Sequence, residues 1–149
     1  MAGKFKFKLE GLLKLRHFKE EQLKVELGKI NSEIQKTKDK IKVLKEDIQI
    51  AYSSQEDVFL TKTNALVARF FPYFVQAKKE DIKNQENLLF SLEKKYKQKL
   101  KEVSIAMGET KIINKMKDKE QDSWKREKAK KEQLEIEEVL SMRRNIKEN

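Results

Sequence analysis

The amino-acid sequence predicts an all-α protein, a long two-helix antiparallel coiled-coil hairpin with its bend near residues 60–72. Three observations carry this reading. Apolar residues in the first half of the chain recur at steps of three and four. A second stripe of the same kind runs through the second half. Between the two lie the turn-forming residues Thr61, Thr63 and Asn64 and the single proline, Pro72. Steps of three and four keep side chains on one face of a helix. A breaker between two such faces lets the chain fold back so that each face covers the other.

The first helix is expected from about residue 5 to about residue 60. Its stripe runs Leu9, Leu13, Leu23, Leu27, Ile30, Ile34, Ile41, Leu44, Ile48 and Val58, with Arg16, Glu20, Thr37, Ala51 and Gln55 at the remaining seam positions. No proline interrupts it, and Gly11 and Gly28 each weaken a helix by about 1 kcal/mol relative to alanine without ending it. A connector of about 61–71 follows. Phe71 precedes Pro72 and is biased away from the helical region. Pro72 suits the first turn of a second helix, or kinks one already begun at Asn64; the residues allow both. The second helix is expected over about 72–142. Its stripe is Val75, Ile82, Leu89, Leu92, Tyr96, Leu100, Val103 and Met107, where successive four-residue steps predict a locally flattened or reversed supercoil. Beyond Gly108 the stripe thins to Ile112, Ile113, Met116, Trp124, Leu134, Ile136, Val139 and Leu140. A single coiled-coil domain, 1–149, accommodates all of this.

Composition narrows the function classes. With 40% charged residues and a mean hydropathy of −0.83, the apolar material suffices for a seam between helices but not for a compact core. There is no cysteine, and His17 is the only histidine, so thiolate or histidine metal clusters and a histidine-based triad within one chain are excluded. No glycine-rich phosphate loop is present. Carboxylate pairs such as Glu20/Glu21 and Glu137/Glu138 sit on charged helix faces where nothing tunes them for acid–base work. The expectation is a non-enzyme with no cofactor and no metal. No apolar run is long enough to span a membrane, and no signal-peptide core is found. The net charge of +10 is compatible with a basic coiled coil that binds nucleic acid or an anionic membrane surface. A structural homo-oligomeric rod is a further possibility. The 25 acidic residues interspersed among the basic ones favour a solvated helix face and argue against a nucleic-acid groove.

The stretch "ARFFPYFVQ", 68–76, departs from this pattern. Phe70, Phe71, Tyr73 and Phe74 crowd around Pro72, and Tyr52 and Phe59 approach from the first helix. A two-helix tip has little core to fill, so these rings form either a docking patch or a local core that staples the bend.

Several segments carry a family resemblance. "FKFKLEGLLKLRHFKEEQLKVELGKI", 5–30, resembles the N-terminal signature of the FliJ family of flagellar export proteins, with alternating aromatic and basic residues, a leucine-rich stretch, Leu-Arg and a glutamate-rich run. "YFVQAKKEDIKNQENLLFSLE", 73–93, is similar to the family's second-helix opening, and "ETKIINKMKDKEQDSW", 109–124, to its basic segment. "KREKAKKEQLEIEEV", 125–139, resembles its Glu-Gln-x-x-x-Asp-Glu ending, with Glu137 where aspartate is commoner.

The resemblance implies a cytoplasmic component of the flagellar type III export apparatus, held at the inner face of the cell membrane through its partners. It implies a two-helix coiled coil like the stalk of rotary ATPases, inserted in the hexameric export ATPase FliI, touching its regulator FliH, engaging the export-gate protein FlhA and handling export chaperones; nucleic acid is not an expected partner. On this reading Phe5, Phe7, Leu12, Leu13, Arg16, Trp124 and Arg126 form the ATPase-binding end. The gate-binding tip comprises Tyr52, Phe59, Phe70, Phe71, Tyr73 and Phe74. Tyr52 and Phe74 match the family's Tyr and Phe positions, whereas Lys78 and Asp81 stand where more apolar residues are usual.

Overall fold

A computed structural model describes residues 3–60 and 65–148, with side chains described for 3–56 and 68–148. Thr61, Thr63 and Asn64, and the side chains of Val58 and Phe59, lie outside the described residues. Two helices, α1 (Glu10–Leu60) and α2 (Ala65–Glu148), make up nearly all of it, with no strand among the described residues. They pack against each other as a helical hairpin. Their contacts group into two units: Gln22–Val103, and Met1–Glu21 with Ser104–Asn149.

In the unit 22–103, α1 buries Ile34, Thr37, Ile41, Leu44 and Ala51 against Val75, Leu92 and Val103 of α2. Two ion pairs show the antiparallel sense. Glu26 meets Lys99 at 2.8 Å and Asp47 meets Lys78 at 3.5 Å, so numbers rise on one helix as they fall on the other. The buried Thr37 hydroxyl donates to the Glu33 carbonyl of its own helix at 2.8 Å. That bond removes the cost of placing a hydroxyl in an apolar seam.

In the other unit the core cluster is Phe7, Leu13 and Ile113, with Phe5 and Leu9 packed against it. Ala106 and Thr110 extend the buried face of α2, and the Thr110 hydroxyl donates to Ala106 O at 2.9 Å. Arg16–Glu109 at 2.7 Å and Glu10–Lys117 at 2.9 Å again run antiparallel.

The α1 stripe behaves as its spacing predicts: each of its residues with a described side chain is buried or half-buried. Other boundaries and registers differ from expectation. Helix α1 begins at Glu10 rather than near residue 5. The preceding "KFKFK" alternates with period two, which suits an extended strand-like run and not a helix. Phe7 folds back onto Leu13, in the manner of a hydrophobic staple, while its carbonyl accepts from Glu10 N at 3.2 Å. Helix α2 begins by Ala65 and runs to Glu148, so residues 65–71 are helix, not connector. Pro72 is therefore the eighth residue of α2 and not its first turn.

Between Leu89 and Ile113 the α2 seam does not drift: it runs through Leu89, Leu92, Tyr96, Lys99, Val103, Ala106, Thr110 and Ile113 in strict alternation of three and four. Only beyond Ile113 do successive steps of four follow, to Lys117 and Gln121. Leu100 and Met107, expected in the seam, are exposed. Lysine, alanine and threonine occupy seam positions because the lysine stem can lie along apolar surface with its charge outside and a small residue fits where two helices approach closely.

Candidate functional site

Two exposed apolar surfaces stand out, one in each unit. In the unit 22–103, Ala51 and Ser54 are small residues facing the aromatic run of α2. Their size leaves a groove of about 530 Å³, lined by Asp47, Ile50, Ala51, Ser54, Phe70, Phe71 and Phe74. Phe71 lies on the seam and is half-buried, so it serves as floor. Phe70, 67% exposed, and Phe74 form one wall, and Ile50 stands on the other. At one edge the Lys78 ammonium sits 5.3 Å from the Phe74 ring centre while pairing with Asp47. This cation–π contact orients the ring at the groove rim. Lys78 thus takes part in the groove even though the resemblance puts a more apolar residue there.

The predicted aromatic cluster is only partly one site. Phe70, Phe71 and Phe74 line the groove, while Tyr52 and Tyr73 are exposed but do not line it. Phe59 lies outside the described side chains. Ile50 and Asp47 were not singled out from the sequence. The signal for Ile50 was its position off the stripe between Ile48 and Ala51: a large apolar residue that the seam leaves over.

The second surface belongs to the other unit. Phe5 is half-buried, its ring 6.0 Å from that of Trp124 at 53°, and Lys128 Nζ lies 5.2 Å from the Trp124 ring centre. Leu12 and Arg126 are exposed. Phe7 and Leu13 are buried, and Arg16 is half-buried in its pair with Glu109. These three hold the unit together beneath the surface, and the predicted group therefore divides into a core and an outer rim. Leu15, Phe18, Ile105 and Ile112 are exposed, each more than 60%. Leu15, Phe18 and Ile105 occupy positions that the stripes pass over; Ile112, expected in the thinning α2 stripe, instead lies beside the seam residue Ile113 on an outer face. Both helices here carry apolar side chains inside and outside.

Among the described residues no cluster of His, Asp or Glu could hold a metal ion, and no helix is long and apolar enough to cross a membrane. Exposed rings beside charged rims are the chemistry of protein docking.

A family model described as the flagellar FliJ protein matches residues 5–149, essentially the whole chain. The chain belongs to the FliJ family. It is thus a component of the flagellar export apparatus, in a family that is non-catalytic. No curated protein and no solved structure matches it. The FliJ assignment gives the exposed apolar surfaces a setting, because a protein that works inside an export assembly must present faces to partners.

Proposed function

We propose that this FliJ protein is a stalk-like activator of the hexameric export ATPase FliI, coupling it to the export-gate protein FlhA. It works in the cytoplasm, peripheral to the membrane-embedded apparatus, with contacts to FliH and to export chaperones. The observation that carries the reading is the surplus of large exposed apolar side chains on helices whose seam is already filled. The rim around Phe5, Leu12, Trp124 and Arg126, with Leu15 and Phe18 on the outer face of α1, is the ATPase-facing surface. An axle enclosed by a ring is touched on all sides, and apolar residues on outer as well as inner faces suit that environment. The groove at Phe70, Phe71 and Phe74, with Tyr52 and Tyr73 beside it, is the gate-facing surface.

The groove assignment has a direct test. Fully burying one large apolar side chain contributes roughly 1.5–3 kcal/mol. The double variant Phe70→Ala/Phe74→Ala should therefore weaken FlhA binding by at least tenfold, or about 1.4 kcal/mol, measured by calorimetry with the purified cytoplasmic part of the gate. Its helix content should match the unaltered chain, since both rings are exposed. Unchanged affinity in the well-folded double variant would remove the groove from the gate contact.

A further inference from the structure

From Ala129 to Glu148 every side chain of α2 is exposed, with Gly3 lining an open pocket beside Lys131, Glu132 and Glu135 at its start. Helices without a packed face are marginal in water, yet the last five turns of α2 keep a regular spacing in which four apolar residues and one residue of each charge share one face. Ala129, Glu132, Ile136, Val139, Arg143 and Ile146 follow one another at steps of three, four, three, four and three. That is the a/d spacing of a coiled-coil seam. A shallow open groove runs along it, lined by Glu132, Glu135, Ile136, Val139, Leu140 and Arg143.

The charge along this seam is polarised. Glu132, Glu135, Glu137 and Glu138 outnumber Lys130 and Lys131 before Val139, and Arg143, Arg144 and Lys147 outnumber Glu148 after it. In a parallel pair of such helices, Glu132 would face Glu132 and Arg143 would face Arg143. In an antiparallel pair centred between Ile136 and Val139, each step of the seam finds a complement. Ala129 meets Ile146 of the other copy, Glu132 meets Arg143, and Ile136 meets Val139, each layer occurring twice by symmetry. A charged pair within an apolar seam adds little net stability but penalises every wrong register and orientation.

We propose that residues 129–148 form an antiparallel coiled coil with the same segment of a second copy of this chain. The proposal does not depend on the assignment of the ATPase and gate surfaces. It is short, so the association is weak and concentration-dependent.

Sedimentation equilibrium of the full chain, up to roughly 100 µM, tests it. The expected result is a monomer–dimer equilibrium. Glu132→Arg alone and Arg143→Glu alone should each weaken dimerisation at least tenfold, because like charges then meet in two layers. The double exchange Glu132→Arg/Arg143→Glu should restore it, and an equimolar mixture of the two single variants should form a one-to-one dimer. A second measurement uses the absence of cysteine from the chain. Ala129→Cys mixed with Ile146→Cys should cross-link on oxidation, and neither protein should do so alone. A monomer over the whole concentration range overturns the proposal. So does a dimer indifferent to the single exchanges, a double exchange that stays as weak as the singles, or cross-linking of either cysteine protein with itself.

Discussion

At the scale of single residues, Lys99 is the most informative side chain. Its ammonium bridges Glu26 of α1 at 2.8 Å and Glu102 of its own helix at 2.9 Å. The hydrogen bond from Lys99, with the ammonium's charge, holds the Glu26 carboxyl below its ordinary value; hydrogen bonds to Glu26 and Glu102 raise Lys99 above its own. The depressed carboxyl favours the folded chain above the ordinary glutamate range, and that contribution is lost as pH falls through the lowered value. The raised ammonium favours the folded chain below the ordinary lysine range, and its contribution is lost as pH rises through the raised value. The bridge is thus intact across neutral pH and fails in acid and in strong alkali. Exposed pairs contribute little to stability, so the readout is titration. Carboxyl NMR should place Glu26 below the ordinary glutamate value, and Lys99→Met should raise it toward that value while the neutral-pH melting curve barely moves. A Glu26 titration indifferent to loss of Lys99 would mean that the bridge does not form in solution. Lys99 also shows why part of the seam was hidden in the sequence. A count of apolar residues steps over a lysine to Leu100, one position on, and the register appears to slip where it does not.

At the scale of elements, both helices were legible because each carries an apolar stripe at helical spacing and each stripe covers the other. Thr37 and Glu20 were placed in the α1 seam from spacing alone, and both are buried. Boundaries were less legible. The start of α1 depends on Phe7 turning back onto Ile113, 106 residues further along the chain, and no local pattern encodes that contact. Pro72 left the start of α2 open between its own position and Asn64, and the helix runs through it because α2 packs against α1. A proline inside a helix removes one backbone hydrogen bond and costs roughly 3 kcal/mol relative to alanine. Pro72 is exposed, so Pro72→Ala loses no buried contact. The substitution should stabilise the protein by about 1–3 kcal/mol, seen as a higher urea midpoint. The groove should survive it, because Phe70 and Phe74 are displayed by helical spacing and not by a turn. A lower midpoint would show that the ring of Pro72 is needed for the local backbone path.

At the scale of the whole molecule, the two apolar surfaces draw on different parts of the chain, and their functions should be separable by substitution. Deleting residues 1–15 would not separate them, because it also removes Phe7 and Leu13 from the buried cluster of their unit. Substitutions on the outside are cleaner. Leu15 and Phe18 are both more than 60% exposed, and exposed changes away from the seam usually shift stability by less than about 0.5 kcal/mol. Leu15→Asp/Phe18→Asp should then leave the melting temperature nearly unchanged and leave FlhA binding as it is. Stimulation of FliI ATP hydrolysis should fall at least tenfold, because carboxylates on the outer face of α1 would be desolvated inside a ring. The Phe70→Ala/Phe74→Ala protein should show the converse, full stimulation with weakened gate binding. If the aspartate variant stimulates FliI normally, the outer face of α1 is not the grip. If either variant loses both activities while remaining folded, the two surfaces act as one, and a stalk with separate ATPase and gate contacts is the wrong description of this protein.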